Sequence, residues 1–209
     1  MDVRNLQISL FDAFGFIFPG AFILFAFTLL TENETVIHIK DSMGLLKEAE
    51  TTMLVMGTLL SYIIGFLVNS FGYKLYKKVS GYLWEMPDDV KLGREQARYA
   101  VLVREFSPRN LAHLEKWNAL KAMSHNFSLS FLVLFGVSLA KAVLHWPAAG
   151  WEWAILAIVS VYCAYSLLHR AHFYQRYYYE DLRHTVVSLH LEQKAKFESE
   201  HRYMGREEQ

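Results

Sequence analysis

Cysteine is almost missing from this chain. Cys163 is the only one, which excludes a disulfide framework and a zinc site built from several thiolates. An excess of charge of either sign is missing as well. Lys plus Arg is 21 and Asp plus Glu is 21, so the formal net charge is zero. A strongly basic nucleic-acid-binding surface is thereby excluded, and no direct contact with nucleic acid is expected. Charge is scarce in total, at 20% of 209 residues, whereas apolar residues reach 53%. Both values depart from the usual soluble domain, and in the direction opposite to disorder. Catalytic signatures are absent too: the chain has no Walker A loop, no GxGxxG, no GxSxG and no HExxH. Neither an enzymatic reaction nor a cofactor is expected.

What is present is a set of long apolar runs with the charges gathered between them. Four runs are long enough to cross a bilayer: residues 11–30, 53–73, 127–145 and 151–168. Twenty helical residues reach about 30 Å, the thickness of the hydrocarbon core. The few charges in these runs, Asp12, Lys141 and Glu152, lie within about a turn of an end, where a side chain can snorkel. The expected fold is all-α: an integral membrane four-helix bundle, 1–73 and 127–168, with cytoplasmic helical extensions, 74–126 and 169–209. The first run does not read as a cleavable signal peptide. Only Arg4 precedes it with positive charge, and Glu32 and Glu34 follow it without a small-residue cleavage site.

Orientation follows from Lys and Arg. Residues 31–51 contain only Lys40 and Lys47, against ten Lys and Arg in 74–126 and seven after His169. The middle segment and both termini are therefore expected in the cytoplasm, as in a multi-pass protein of the cell inner membrane. Trp146, Trp151 and Trp153 gather at the opposite end of spans three and four, as an aromatic belt would.

Within the spans, Pro19-Gly20 interrupts the first and predicts a kink, read either as a hinge or as a packing feature. The second carries Gly57, Ser61, Gly65 and Asn69 at four-residue spacing. Small residues on one stripe let helix backbones approach closely, within the chain or between copies; the same stripe read as a pore lining would face water. Ser130, Ser138 and Ala142 on the third span, and Ala157, Ser160 and Ala164 on the fourth, are weaker forms of that signal. No Asp, Glu, Arg or Lys stands near mid-bilayer, and no inverted repeat is evident, which weighs against a transporter.

Outside the spans, Tyr73-Lys74-Leu75-Tyr76-Lys77-Lys78 forms a basic-aromatic collar suited to anionic headgroups. Residues 82–89, with Pro87, read as a turn, and 91–106 as a short helix. Ser107-Pro108 reads as an N-cap followed by proline in the first turn. Leu111, Leu114, Trp117, Leu120 and Ala122 then recur at helical spacing toward the third span. After span four no breaker intervenes, so one helix of roughly 45 residues, about 70 Å, is expected. Its apolar stripe is Tyr174, Tyr178, Leu182, Val186 and Leu189, expected to pack on the middle segment, on other copies or on a soluble partner. Five of nine histidines lie in this tail, but no third ligand accompanies His169 with His172 or Glu180 with His184, so no metal site is expected. Arg183 and His190 fit the spacing of a helical RNase motif only loosely.

The opening Leu10-Phe11-Asp12-Ala13-Phe14-Gly15-Phe16-Ile17-Phe18-Pro19-Gly20 and the aromatic-arginine helix from Arg170 to Arg183 resemble small four-span membrane proteins of bacterial anti-phage defence systems, among them the Kiwa membrane subunits. That resemblance implies an oligomeric inner-membrane protein that senses or responds to infection and works with a cytosolic protein partner. The competing expectation is a pore-forming or depolarising effector.

Overall fold

The computed structural model describes residues 13–31, 51–84, 89–146 and 150–197. Among them no strand occurs, and the chain is an all-α assembly. A π-helical turn, Ala13–Ile17, leads into α1, Phe18–Thr31. α2 is Thr51–Leu83, α3 is Asp89–Phe106, α4 is Pro108–Leu144 and α5 is Gly150–Ser188. Four of these are long and apolar enough to cross a membrane: the first run taken with its π turn, α2, α4 and α5. These four candidate spans make the chain a membrane-embedded protein. The turn expected at 82–89 is narrower, since Tyr82 and Leu83 end α2 and Asp89 opens α3, with 85–88 outside the described residues. The segment 32–50, and the parts of the first run and the tail at 11–12 and 198–209, also lie outside them.

Two helices organise the molecule. α4 begins at Pro108, with Ser107 as N-cap, and runs unbroken for 37 residues into the third apolar run. Proline suits the first turn because its missing N–H has no helical partner there. α5 runs back antiparallel for 39 residues. The pair stays in register along its length: Gly150 lies against Ala142, Ser128 reaches Ala164, Lys121 reaches Gln175 and Trp117 reaches Asp181. Small residues allow this. Ser138, Ala142, Ala157, Ser160 and Ala164, the stripes expected to be the weaker ones, are all buried.

Three apolar clusters divide the length of the pair. At one end Ala26 and Leu29 of α1 meet Leu134, Val137, Ala142 and Trp153. Midway Tyr76 packs on Leu168 and Ala171, with Val79 and Trp84 beside them. Beyond the apolar runs, Leu102 and Val103 of α3 pack on Leu114, Leu182, Val186 and Leu191. The distal halves of α4 and α5 thus form, with α3, a three-helix bundle that has its own core. About 25 cal/mol per Å² of apolar surface drives such burial in water.

α5, the helix of the fourth apolar run, is shorter than the sequence predicts. It stops at Ser188, and residues 191–197 resume a helical path after a turn. His190 takes a left-handed φ of 50° there. Its N–H donates to the Val187 carbonyl, and its carbonyl accepts from Gln193 and Lys194. A straight helix would leave Leu191 outside; the turn brings it into the distal core, fully buried.

Candidate functional site

The most polar place inside the bundle surrounds the Pro19 break. Proline has no N–H to give to the carbonyl four residues before it, and that carbonyl belongs to Gly15. The Asn126 side chain supplies the missing donor: its Nδ2 donates to the Gly15 oxygen at 2.8 Å. One turn further, Ser130 Oγ donates to the Pro19 carbonyl at 2.9 Å. Both α4 residues are fully buried. A buried polar group without a partner costs about 1–3 kcal/mol, so two donors from α4 offset much of the penalty of the break.

The opposite side of the break is closed by contact between backbones. A Cβ on Gly20 would fall on the Ser61 carbonyl, and one on Gly65 would fall on the Phe16 carbonyl. Only glycine permits this crossing of α1 and α2. Pro19-Gly20 is therefore held from two sides, by hydrogen bonds from α4 and by steric contact with α2. The hinge residues of the sequence reading sit in a clamp.

The α2 stripe is placed less uniformly than its spacing implies. Ser61 and Gly65 are buried in the crossing, and Ser61 Oγ donates to the Gly57 carbonyl at 2.7 Å. Gly57 itself has open space around it. Asn69 is only half-buried and makes no hydrogen bond among the described residues. The inward face drifts by one residue after Gly65, to Val68, Gly72, Tyr76 and Ser80. The drift is a consequence of 3.6 residues per turn, which a strict four-residue repeat overshoots. The amide that crosses between helices is thus Asn126 rather than Asn69. At Gly72 an added Cβ would stand 3.0 Å from His125 Nδ1 and 3.1 Å from Asn126 Oδ1. Tyr76 stacks on the His125 ring, and Tyr73 meets its edge.

The clamp was not read from the sequence, although Ser124-His125-Asn126 adjoins the third span and carries the signal. Proline in one span with an amide at the polar end of another is the pattern that would have located it.

Beyond the apolar runs the polar side chains pair α4 with α5. Trp117 Nε1 donates to Asp181 at 2.7 Å, and His113 lies 3.4 Å from the same carboxylate oxygen. Lys121 donates to Gln175 Oε1 at 2.8 Å, and burial pulls its pKa down to about 8. His172, beside Trp84, is lowered by desolvation and then by its basic neighbours His169 and Arg176. Burial raises Tyr178.

The tail stripe is largely used within the chain. Leu182 and Val186 are buried in the distal core, Tyr174 stacks on Trp117, and Tyr178 packs beside the core. Of the five residues only Leu189 is exposed. No protein family, characterised protein or solved structure matches the chain. Among the described residues, no three His, Cys, Asp or Glu side chains gather as a metal site would require. Arg183 and His190 are both exposed, the first in the last turns of α5 and the second in the turn that follows it.

Proposed function

We propose that this chain is a non-enzymatic membrane component that assembles as a homo-oligomer and presents its distal three-helix bundle to a soluble partner. One observation carries the proposal. α4 and α5 belong at once to the transmembrane bundle and to the distal bundle, so each is a rigid connection between the bilayer and a folded aqueous module. The setting we propose is bacterial anti-phage defence in the cell inner membrane, with 74–126 and both termini in the cytoplasm. The resemblance of the opening segment and the Lys and Arg distribution support that setting.

Room for a second copy lies on α2. Only 17% of its apolar window is buried within the chain, against 39% for α4. Residues 51–60 are exposed on every face, because α1 crosses α2 at Gly65 and then diverges toward α4. Gly57 stands in this open stretch, where a partner helix can approach closely. The pore reading has less support. Asn126, Ser128, Ser130, Ser138 and Ser160 are buried inside the single chain, so they are not available to line a lumen between copies.

The test is mass measurement of the full chain purified from its own membrane in mild detergent, with identification of the soluble proteins that co-elute. A discrete oligomer that carries a soluble protein in fixed ratio is expected, with binding lost on Val187→Asp, a change on the exposed distal surface. A lone monomer would overturn the proposal. An oligomer that binds no partner and conducts ions across a planar bilayer would replace it with the pore.

A further inference from the structure

On the outer face of α5, His169, Arg170, Phe173, Tyr174 and Tyr177 line an open cleft of about 390 Å³. We infer that this cleft binds the phosphate of an anionic phospholipid headgroup. The inference rests on membrane embedding alone and is independent of the oligomer and of any soluble partner.

Position comes first. Leu168 ends the fourth apolar run, and the cleft occupies the next nine residues of the same helix. At about 1.5 Å per residue it spans roughly the first 14 Å beyond the hydrocarbon. The headgroup layer occupies roughly the first 5–8 Å of that distance.

Charge comes second. Among the described residues the lining contains Arg170 and His169 and no carboxylate. Arg170 is exposed and makes no ion pair among the described residues. Its neighbour Arg176 differs: it is engaged by Glu180 at 2.7 Å, and Arg98 is engaged by Glu192 at 3.2 Å. An exposed guanidinium presents a planar fork of donors that matches two phosphate oxygens.

The walls come third. His169 meets the edge of Phe173 at 4.8 Å, and Phe173 stacks on Tyr177. Trp117 backs Tyr174 and Tyr177 from α4, and Trp84 backs His169 from the end of α2. Tryptophans from two other helices thus fix the rings around the arginine. Phe173 and Tyr177 remain 41% and 45% exposed. Tyr177, with an apolar body and a polar tip, suits the boundary between acyl chain and headgroup, and Phe173 adds an apolar face beside it. A cleft for free phosphate would have no use for the exposed phenyl face; a lipid, whose glycerol and first methylenes lie beside the phosphate, does.

The experiment is native mass spectrometry of the full chain in neutral detergent, titrated with phosphatidylglycerol or phosphatidylcholine. The wild type is expected to retain one phosphatidylglycerol in preference to phosphatidylcholine. Arg170→Gln should weaken that binding about ten-fold, the loss of one charge-assisted pair, with an unchanged thermal melt. Phe173→Ser should weaken it several-fold. Lys78→Gln, on the exposed collar of α2, should leave it unchanged. Equal binding by wild type and Arg170→Gln would overturn the inference. So would an equal loss in Lys78→Gln, which would mean diffuse attraction to the collar. Displacement of the lipid by millimolar inorganic phosphate would assign the cleft to a soluble anion instead.

Discussion

A single missing N–H organises the interior of this bundle. Pro19 deprives the Gly15 carbonyl of its donor, and Asn126 replaces it from another helix. The two residues should therefore be coupled energetically. Asn126→Leu is expected to cost about 1–3 kcal/mol in the wild type, and clearly less in a Pro19→Ala background, where a backbone N–H is restored. A thermal-melt double-mutant cycle in detergent measures this, and additive effects would show that the hydrogen bond does not compensate the proline. Lys121 gives a second residue-scale prediction. Its folded pKa is lowered from 10.5 to about 8 by burial. The unfolded chain then binds more protons between those values, so stability rises with pH across that window. The melting temperature should rise from pH 7.5 to 9.5, and the rise should shrink in Lys121→Met. Tyr178, raised by burial, acts in the opposite sense only above its ordinary value of 10.0, outside the measured range.

At the scale of elements, the long apolar runs were legible because a bilayer demands length and apolarity together. The four spans, the proline start of α4 at Pro108 and its continuity into the third span follow directly from the sequence. Two features were not legible. The register of α2 departs from its four-residue repeat after Gly65, because helix geometry selects Val68 and Gly72 in place of Asn69. The end of α5 at Ser188 has no glycine or proline to announce it; the requirement to bury Leu191 sets it. Apolar spacing showed that the tail stripe would be covered, without showing by what, and α3 with the distal half of α4 provides the cover. This changes how the tail can be probed. Removing residues 180–209 would remove Leu182, Val186 and Leu191 from the distal core, so loss of function would report unfolding as readily as lost docking. Leu182→Ala alone is expected to cost about 2–5 kcal/mol of distal-bundle stability. Hydrogen exchange should accelerate in α3 and the distal halves of α4 and α5 while the spans stay protected. Uniform acceleration would mean that the two bundles unfold as one unit.

For the whole molecule, two glycines on one helix would separate folding from the proposed assembly. Gly65→Ala places a Cβ on the Phe16 carbonyl and should lower the melting temperature of the chain itself. A Cβ on Gly57 meets nothing within 4 Å among the described residues, so Gly57→Leu should leave that melt unchanged. If copies associate through the open end of α2, Gly57→Leu should reduce the oligomer to smaller species in mass photometry; an unaffected oligomer would move the interface elsewhere. The shared helices have a mechanical consequence. The part of α5 from His169 to Ser188 extends about 30 Å past the apolar run. Held in a stiff antiparallel pair with α4, it acts as a lever arm. A thinning bilayer tilts its spans, and a tilt of about 10° would sweep the far tip sideways by about 5 Å. A change in membrane thickness, too small to expose any new residue, would in this way become a displacement the size of a side chain at the surface where a soluble protein would sit.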